Sequence, residues 1–413
     1  MTKQKLKIGL FGYGCVGSGL YDVLNRTPDF NAEIVKICVK DKHKLRNIPA
    51  HHFTYDKNEL LNDDSINVIV ELIDNADDAF DIVTSALRKK KAVVTANKKL
   101  LAEHFTELYL LQQEYNTPLL YEASVGGAIP IIRTLEEYYD NDTLSSIEGI
   151  LNGTTNFILT KTANEGKGYA EVLQEAQKLG FAESDPTLDV QAFDPKYKLT
   201  ILLAHAFGLI VKPEEILNYG IHHLTERDVQ YAGEKGYKLK LVAQATKEDS
   251  QVKAFIIPKF VQADDAFFTV NNEFNAIQIE AAFSDKQLLK GKGAGSYPTA
   301  AAVLSDISAL SYDYRYGYRK IEQHQQVSLN NDVLLNVYLR YTNTDIFEVL
   351  NFETVEEEFV SREYKYIIGK VSLQQLLNAD LNNRSDIFIA EVPEPTVIPS
   401  LAKTATAVLE NSL

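Results

Sequence analysis

Between Glu148 and Lys198 the chain gathers acids, amides, hydroxyls and an amine at spacings that can hold and protonate a small polar molecule. The stretch opens with EGILNGTTNFIL, a strand-like run passing into a polar loop. It closes with LGFAESDPTLDVQAFDPKYK, where Lys198 follows Asp194 by four residues. On a helix that spacing puts acid and amine on one face. The polar groups of Asn152, Thr154, Thr155, Glu183, Asp185, Asp189, Asp194 and Lys198 are interleaved with apolar residues, as in the lining of a pocket for a zwitterion. Each residue also has an ordinary reading. Asp194 before Pro195 suits a helix start, the carboxylate capping free N–H groups, and Glu183, Asp185 and Asp189 suit a solvated acidic loop.

A second constellation lies far upstream, in KIGLFGYGCVGSGLYDVL. An apolar run leads into Gly12, Gly14, Cys15, Val16 and Gly17, after which Leu20, Val23 and Leu24 recur at helical spacing. This is the G-x-G-x-x-G pattern set between a strand and a helix, which cradles the pyrophosphate of a dinucleotide. Gly12 permits the turn, Gly14 lets the backbone approach the phosphates, Gly17 lets the helix pack close, and the helix N-terminus offers N–H donors. Turn glycines between a strand and a helix also occur without any nucleotide. A following strand, AEIVKICV, ends at Val39-Lys40-Asp41. An acid there would bind the adenosine ribose of NAD and a basic group the extra phosphate of NADP. Lys40, with Lys42 and Lys44 behind it, favours NADP; Asp41 keeps NAD open.

These two motifs together resemble homoserine dehydrogenase, whose signatures read GxxNGTTNYIL and GYAExDPxxDVxGxDxxxK. Ala192 stands where that family generally has glycine, and Phe157 and Phe181 where it generally has tyrosine. The resemblance covers roughly residues 7–310. It implies reversible hydride transfer between NADP (or NAD) and the aldehyde of L-aspartate 4-semialdehyde, giving L-homoserine on the route to threonine and methionine. It assigns Lys198, Lys98 (in the TANKK segment) and Asp194 to catalysis, and Glu183, Asp189, Thr154 and Gly153 to the substrate. Thr95, Lys98, Lys40 and Gly293 join the glycine loop at the cofactor. EASVGGAIP, a near match to a cation-binding motif, implies a monovalent cation, Na+ by preference, on the carbonyls of Glu122, Val125, Gly127 and Ile129. Without the resemblance, Lys98 reads as a loop lysine in water and the EASVGGAIP glycines as serving helix packing. LKGKGAGSYPTAAAVLSDI resembles GPGAGxxPTAxAVxxD, with Lys292 in place of proline.

The elements that must position these residues follow from the alternation of strand-like and helical stretches over the first third. KIGLFG, EIVKICV, INVIVELI, AVVTA and PLLYEA read as strands, with helices at 76–89 and 100–115. Such alternation implies an α/β parallel sheet of Rossmann type. From about residue 145 the pattern becomes that of an α+β substrate and dimerisation domain, with the chain returning to the nucleotide domain through the helix 299–310. The expected domains are 1–144 with 289–312, 145–288, and a small C-terminal α/β module over 313–413. By position that module resembles a regulatory ACT domain, although its first loop, TNTDIFEVL, lacks the usual glycine and proline.

Composition narrows the partners. The 413 residues carry a net charge of −15 and 45% hydrophobic residues, ordinary for a globular chain of two or three domains. The charge argues against nucleic acid or an anionic membrane; Lys89 to Lys91 read as a solvated helix end. Two cysteines, Cys15 and Cys38, fit neither a disulfide framework nor a metal cluster. The first strand begins almost at once, leaving no room for a signal peptide. A cytoplasmic homodimer or homotetramer acting on a small molecule is expected. Two other functions fit less well. A semialdehyde dehydrogenase needs a nucleophilic cysteine downstream of the cofactor domain, and both cysteines precede residue 40. A non-catalytic nucleotide sensor would not need Glu183, Asp194 and Lys198 together.

Overall fold

The computed structural model describes residues 5–27, 29–140, 143–323 and 327–393. The first unit runs β1 (Leu6–Phe11), α1 (Cys15–Asn25), β2 (Ala32–Cys38), β3 (Phe53–Thr54), α2 (Lys57–Leu61), β4 (Val68–Glu71), α3 (Ala76–Arg88), β5 (Ala92–Thr95), α4 (Lys98–Tyr115), β6 (Leu119–Leu120) and α5 (Ile131–Arg133). Its six strands are parallel in the order β3-β2-β1-β4-β5-β6. The order reverses between β1 and β4, and a dinucleotide binds beyond the strand ends at such a switch point. β4 is buried at every position, as a central parallel strand covered on both faces must be.

The chain then builds a second sheet from β7 (Leu144–Ile150), followed by α6 (Gly153–Glu165), α7 (Tyr169–Leu179), α8 (Thr187–Val190) and α9 (Phe193–Phe207). After these come β8 (Leu217–Asn218), α10 (Glu226–Glu234), β9 (Lys238–Glu248), β10 (Gln251–Val261), β11 (Phe274–Ala281) and β12 (Asp285–Lys292). β12 stays paired with β11 as far as Lys292, so the return to the first unit begins at residue 293, four residues later than the sequence implied. The return helix α11 (Ser296–Leu310) then packs on α1. A Cβ on Gly19 would lie 2.4 Å from Ser296 Oγ, so only glycine allows that approach.

Beyond α12 (Arg319–Glu322) and β13 (Ser328–Leu329), the C-terminal segment contributes β14 (Leu334–Tyr341), β15 (Phe352–Val360), β16 (Lys365–Ser372), α13 (Leu373–Asn378) and β17 (Ile387–Glu391). These strands do not form a sheet of their own: the order is β12-β11-β7-β9-β10-β17-β14-β16-β15, a single sheet joined where Lys259 pairs with Glu391. The join is buried and polar. Arg340 donates to Asp228 Oδ1 at 3.0 Å and to the His223 carbonyl at 2.8 Å, and Tyr338 donates to Asp228 at 3.0 Å. The loop TNTDIFEVL, read as lacking turn signals, is a 3-10 turn over Thr344–Glu348. Residues 394–413 of the expected module lie outside the described residues. No helix among the described residues is long and apolar enough to cross a membrane.

One lysine was misread. Lys89 and Lys90 are exposed, but Lys91 is buried, its ammonium donating to the carbonyls of Asp63 and Ile66 at 2.7 and 2.6 Å. Carbonyls at the end of a loop satisfy a buried amine that sequence alone places in water.

Candidate active site

Asp194 is the hub of the cluster anticipated at the end of the polar stretch. It lies in the first turn of α9, but it does not cap the helix: Ala192 is the cap residue, in a left-handed conformation with φ of 66°. The carboxylate turns inward. Its Oδ1 accepts from Lys98 Nζ at 2.7 Å, and its Oδ2 from Lys198 Nζ at 2.8 Å and Asn152 Nδ2 at 2.9 Å. Lys198 is one helical turn on, as the spacing required, and also donates to the Leu151 carbonyl at 2.7 Å. The second amide proton of Asn152 goes to Asp189 Oδ1 at 2.7 Å, while its Oδ1 caps α6 by accepting the Thr155 N–H. Lys98 is not a loop lysine: it opens α4 and reaches across from the first sheet's strand ends. The cluster therefore joins both units through one carboxylate.

Burial separates the two amines. Asp194 and Lys198 are nearly sealed from solvent, whereas the Lys98 side chain keeps 39% exposure. Burial alone would raise the Asp194 carboxyl, but the Lys198 and Lys98 charges outweigh it and hold the group well below the usual carboxylate range. The Asp194 charge raises Lys98 against the opposing pull of burial, with Asp189 and Glu183 adding to the rise. Burial foremost, with repulsion from Lys98, lowers Lys198 in spite of Asp194. Asp189 is pushed up by burial and then by the Asp194 charge. Two ammoniums sharing one ionised carboxylate, one amine favoured and one disfavoured as a cation, form an arrangement able to hold and release a proton.

The remaining substrate candidates separate. Glu183 is exposed, and its carboxylate has no hydrogen-bond or ion-pair partner among the described residues; only its carbonyl is engaged, by Gln177. Asp185 is a turn acid, accepting the N–H and hydroxyl of Thr187. Thr154 spends its hydroxyl on the Phe181 carbonyl at 2.6 Å, tying the acidic loop to the start of α6. Gly153 is the first residue of α6, where a Cβ would meet the Glu273 carbonyl at 2.8 Å. Phe157 and Phe181 pack ring to ring at 4.9 Å.

At the glycine loop the backbone packs closely at Gly12 and Gly17 and lies open at Gly14. Gly12 has φ of +95° and a Cβ there would sit 2.4 Å from the Leu72 carbonyl; a Cβ on Gly17 would sit 2.3 Å from the Gly12 carbonyl. Around Gly14, the cap residue of α1, a Cβ would meet nothing within 4 Å. That open space at a helix N-terminus is room for an anion. Cys15 is exposed and Val16 half-buried at the same N-terminus. At the end of β2, the Asp41 carboxylate accepts the N–H groups of His43 and Lys44 at 2.7 and 3.2 Å, so it is folded into its own turn. Arg46, which sequence reading passed over, braces that turn by donating to the Asp41 and Lys44 carbonyls at 2.8 and 2.9 Å. Lys40 is exposed, 4.0 Å from Asp78.

Two of the candidates are committed elsewhere. The Thr95 hydroxyl donates to Glu71 at 2.5 Å. Gly293 is buried against Gly127 and Asn275: a Cβ on it would overlap the Asn275 amide. In the loop expected to hold a cation, the Glu122 carboxylate is occupied by the N–H groups of Ile132 and Arg133, both at 2.8 Å. The carbonyl of Ile129 accepts from Ile131, whereas those of Val125 and Gly127 accept no hydrogen bond among the described residues. Glu71, wholly buried at the end of β4, was missed. Its signal was present: one acid inside the apolar run INVIVELI.

Family models agree with this geometry. The model described as "Homoserine dehydrogenase, NAD binding domain" matches residues 12–122, and that described as "Homoserine dehydrogenase" matches residues 130–308. The homoserine dehydrogenase of Bacillus subtilis is 33% identical over 398 residues, 93% of this chain and 90% of that one. The crystal structure of a homoserine dehydrogenase from Thiobacillus denitrificans superposes with a TM-score of 0.81 at 29% identity, covering 94% of this chain and 98% of that one. A hyperthermophilic archaeal homoserine dehydrogenase mutant in complex with NADPH gives 0.66 at 27% identity, with 76% and 100% covered. With a switch-point glycine loop in one unit, a lysine-aspartate-lysine cluster bridging the two units and a relative matched over 90% of its length, the chain belongs to the homoserine dehydrogenase family of NAD(P)-dependent oxidoreductases.

Proposed function

We propose that the chain interconverts L-aspartate 4-semialdehyde and L-homoserine with NADP as the preferred cofactor, Lys198 handling the proton at the reacting oxygen. The observation that carries this reading is the shared carboxylate, Asp194, between Lys98 and Lys198. Reduction of an aldehyde puts negative charge on oxygen, which a positioned ammonium stabilises and then protonates. Lys198, disfavoured as a cation by burial, gives up its proton more readily than Lys98, whose ammonium Asp194 stabilises. Lys98 then serves to steady charge, and Asp194 to orient both amines. Glu183, unpartnered at the rim, takes the substrate's ammonium; Asp189, Thr154 and Gly153 complete that side of the pocket.

Gly12, Gly14, Cys15, Val16 and Gly17 would hold the pyrophosphate, Lys40 the 2′-phosphate, and Lys98, with the backbone of Thr95 and Gly293, whose other groups are committed elsewhere, the nicotinamide end. Bound there, the nicotinamide supplies or accepts the hydride. NADP is supported by an Asp41 carboxylate already engaged by the N–H groups of His43 and Lys44, and by the NADPH complex of the archaeal relative. The free carbonyls of Val125 and Gly127, with those of Glu122 and Ile129, suit a monovalent cation, Na+ first. Steady-state rates with homoserine and either NADP or NAD test the reading: a higher kcat/KM with NAD would shift the role of the turn from Lys40 to Asp41.

The same reading places the reaction on the route to threonine and methionine, in a cytoplasmic homodimer or homotetramer, where two free cysteines are at home. Residues 1–144 with the return helix serve the cofactor, 145–288 substrate and assembly, and 313–413 an ACT-like module. The module's succession of strand, 3-10 turn, strand, strand, helix, strand, with its first strand between the fourth and third, supports that reading. Its first helix is reduced to Thr344–Glu348, without glycine, so threonine should inhibit weakly or not at all. Activity across a threonine titration checks this, and strong cooperative inhibition would reverse it.

A further inference from the structure

Glu71 is a buried acid that the reaction as described does not use. It ends β4, beside the switch point, and is 0% exposed. No lysine, arginine or histidine among the described residues pairs with it. Its Oε1 accepts the Ile73 N–H at 2.7 Å and its Oε2 the Thr95 hydroxyl at 2.5 Å. Thr95 Oγ1 in turn accepts the Asn97 N–H at 3.0 Å, and Asn97 Nδ2 donates to the Ile73 carbonyl at 3.1 Å. The bonds close a ring, Glu71 to Thr95 to Asn97 to Ile73 and back. Asn97 is also the cap of α4, its Oδ1 accepting the Leu100 N–H at 3.0 Å, and the first residue of α4 is Lys98.

A carboxylate buried without a cation is costly, and the cost is visible here. Burial, aided by nearby Asp74, pushes its carboxyl up to about 7 against the pull of the Thr95 and Ile73 hydrogen bonds. What those two bonds fix is the relation between the end of β4 and the end of β5, the launching point of α4. Lys98 must span from there to Asp194 in the second unit, a contact of 2.7 Å.

We propose that Glu71 is a positioning residue for Lys98: through Thr95 and Asn97 its carboxylate sets where α4 begins, and so where the Lys98 ammonium meets Asp194. This rests on the catalytic reading of Lys98 given above. Glu71→Gln keeps the shape but puts a donor where one of two acceptors stood. The Thr95 hydroxyl or the Ile73 N–H loses its partner, and the ring relaxes.

The test is a double-mutant cycle on the full chain, reading kcat, the NADPH dissociation constant by fluorescence titration, and the melting temperature. Glu71→Gln should lower kcat about tenfold or more, as misplacement of a reacting group does, while NADPH affinity stays close to the parent value. Asn97→Asp, which keeps the acceptor that caps α4 but removes the amide that donates to the Ile73 carbonyl, should reproduce the loss of kcat if Glu71→Gln fails to fold. In a Lys98→Ala background, adding Glu71→Gln should cost nothing further, because residues acting through one group are not additive. A full additional loss in that background would overturn the proposal, as would a parental kcat with only a lowered melting temperature. Undiminished turnover in Lys98→Ala alone would overturn the catalytic reading of Lys98 and this inference with it.

Discussion

The cluster around Asp194 and the turn after β2 both bring cations to a place where the proposed function puts a ligand, but they hold them in opposite ways. In the cluster, three donors converge on one buried carboxylate within 2.9 Å. In the turn, Lys40 is exposed and its nearest acid is 4.0 Å away. Buried charges are held in place because leaving any of them unpaired costs several kcal/mol; exposed ones are screened and lose side-chain freedom if fixed. On the proposed reading, catalysis falls to groups held by a shared buried carboxylate, and cofactor choice to exposed groups with no close partner. Side-chain changes should therefore act sharply in the first region and gradually in the second.

The largest break comes from Lys198→Ala. Turnover should fall by about 10²-fold or more, as for loss of a general acid, with the circular dichroism of the folded chain retained. Near-parental kcat would mean that the buried amine only balances Asp194. Next in size is Glu183→Gln at the solvent edge of the same site: KM for homoserine should rise about tenfold while KM for NADP stays put, since a charge-assisted bond to an ammonium is lost. Equal effects on both constants would show that the carboxylate is merely part of the loop.

The turn should respond less. Lys40→Ala should narrow the NADP-to-NAD ratio of kcat/KM roughly fivefold, in keeping with an exposed charge, and the gap should shrink further in high salt. A ratio unmoved by the substitution would shift the contact to Lys42, Lys44 or Arg46. The smallest effect belongs to Ala192, which holds φ of 66° with its side chain fully buried. Ala192→Gly should relieve the left-handed strain of about 1–2 kcal/mol, less the ~0.5–1 kcal/mol that glycine adds to unfolded-chain entropy. Denaturant midpoints should thus rise slightly with kcat unchanged. A falling midpoint would show that the methyl's packing outweighs its backbone.

Much of this was legible in the chain. The parallel sheet followed from alternating apolar runs and helical periods, and α3, anticipated at 76–89, spans Ala76–Arg88. The PLLYEA run was less faithful: strand pairing stops at Leu120, and Glu122–Ser124 turns as a 3-10 segment whose Glu122 carboxylate accepts the N–H groups of Ile132 and Arg133 at the start of α5. Two fates were unreadable because they depend on neighbours remote in sequence: the burial of Lys91 under carbonyls of residues 63 and 66, and the union of the C-terminal strands with β10 at Lys259.

By itself the sequence determined local matters: the glycines that let backbone approach backbone, the four-residue spacing that stacks Asp194 on Lys198, and the apolar periods that become strands and helices. Those depend on covalent geometry and on neighbours within a turn. The tertiary structure alone decided which charge pairs with which. It carried Lys98 across to Asp194 and closed the ring around Glu71. Pairing energy depends on distance and burial, and both are set only when segments remote in sequence have been packed together.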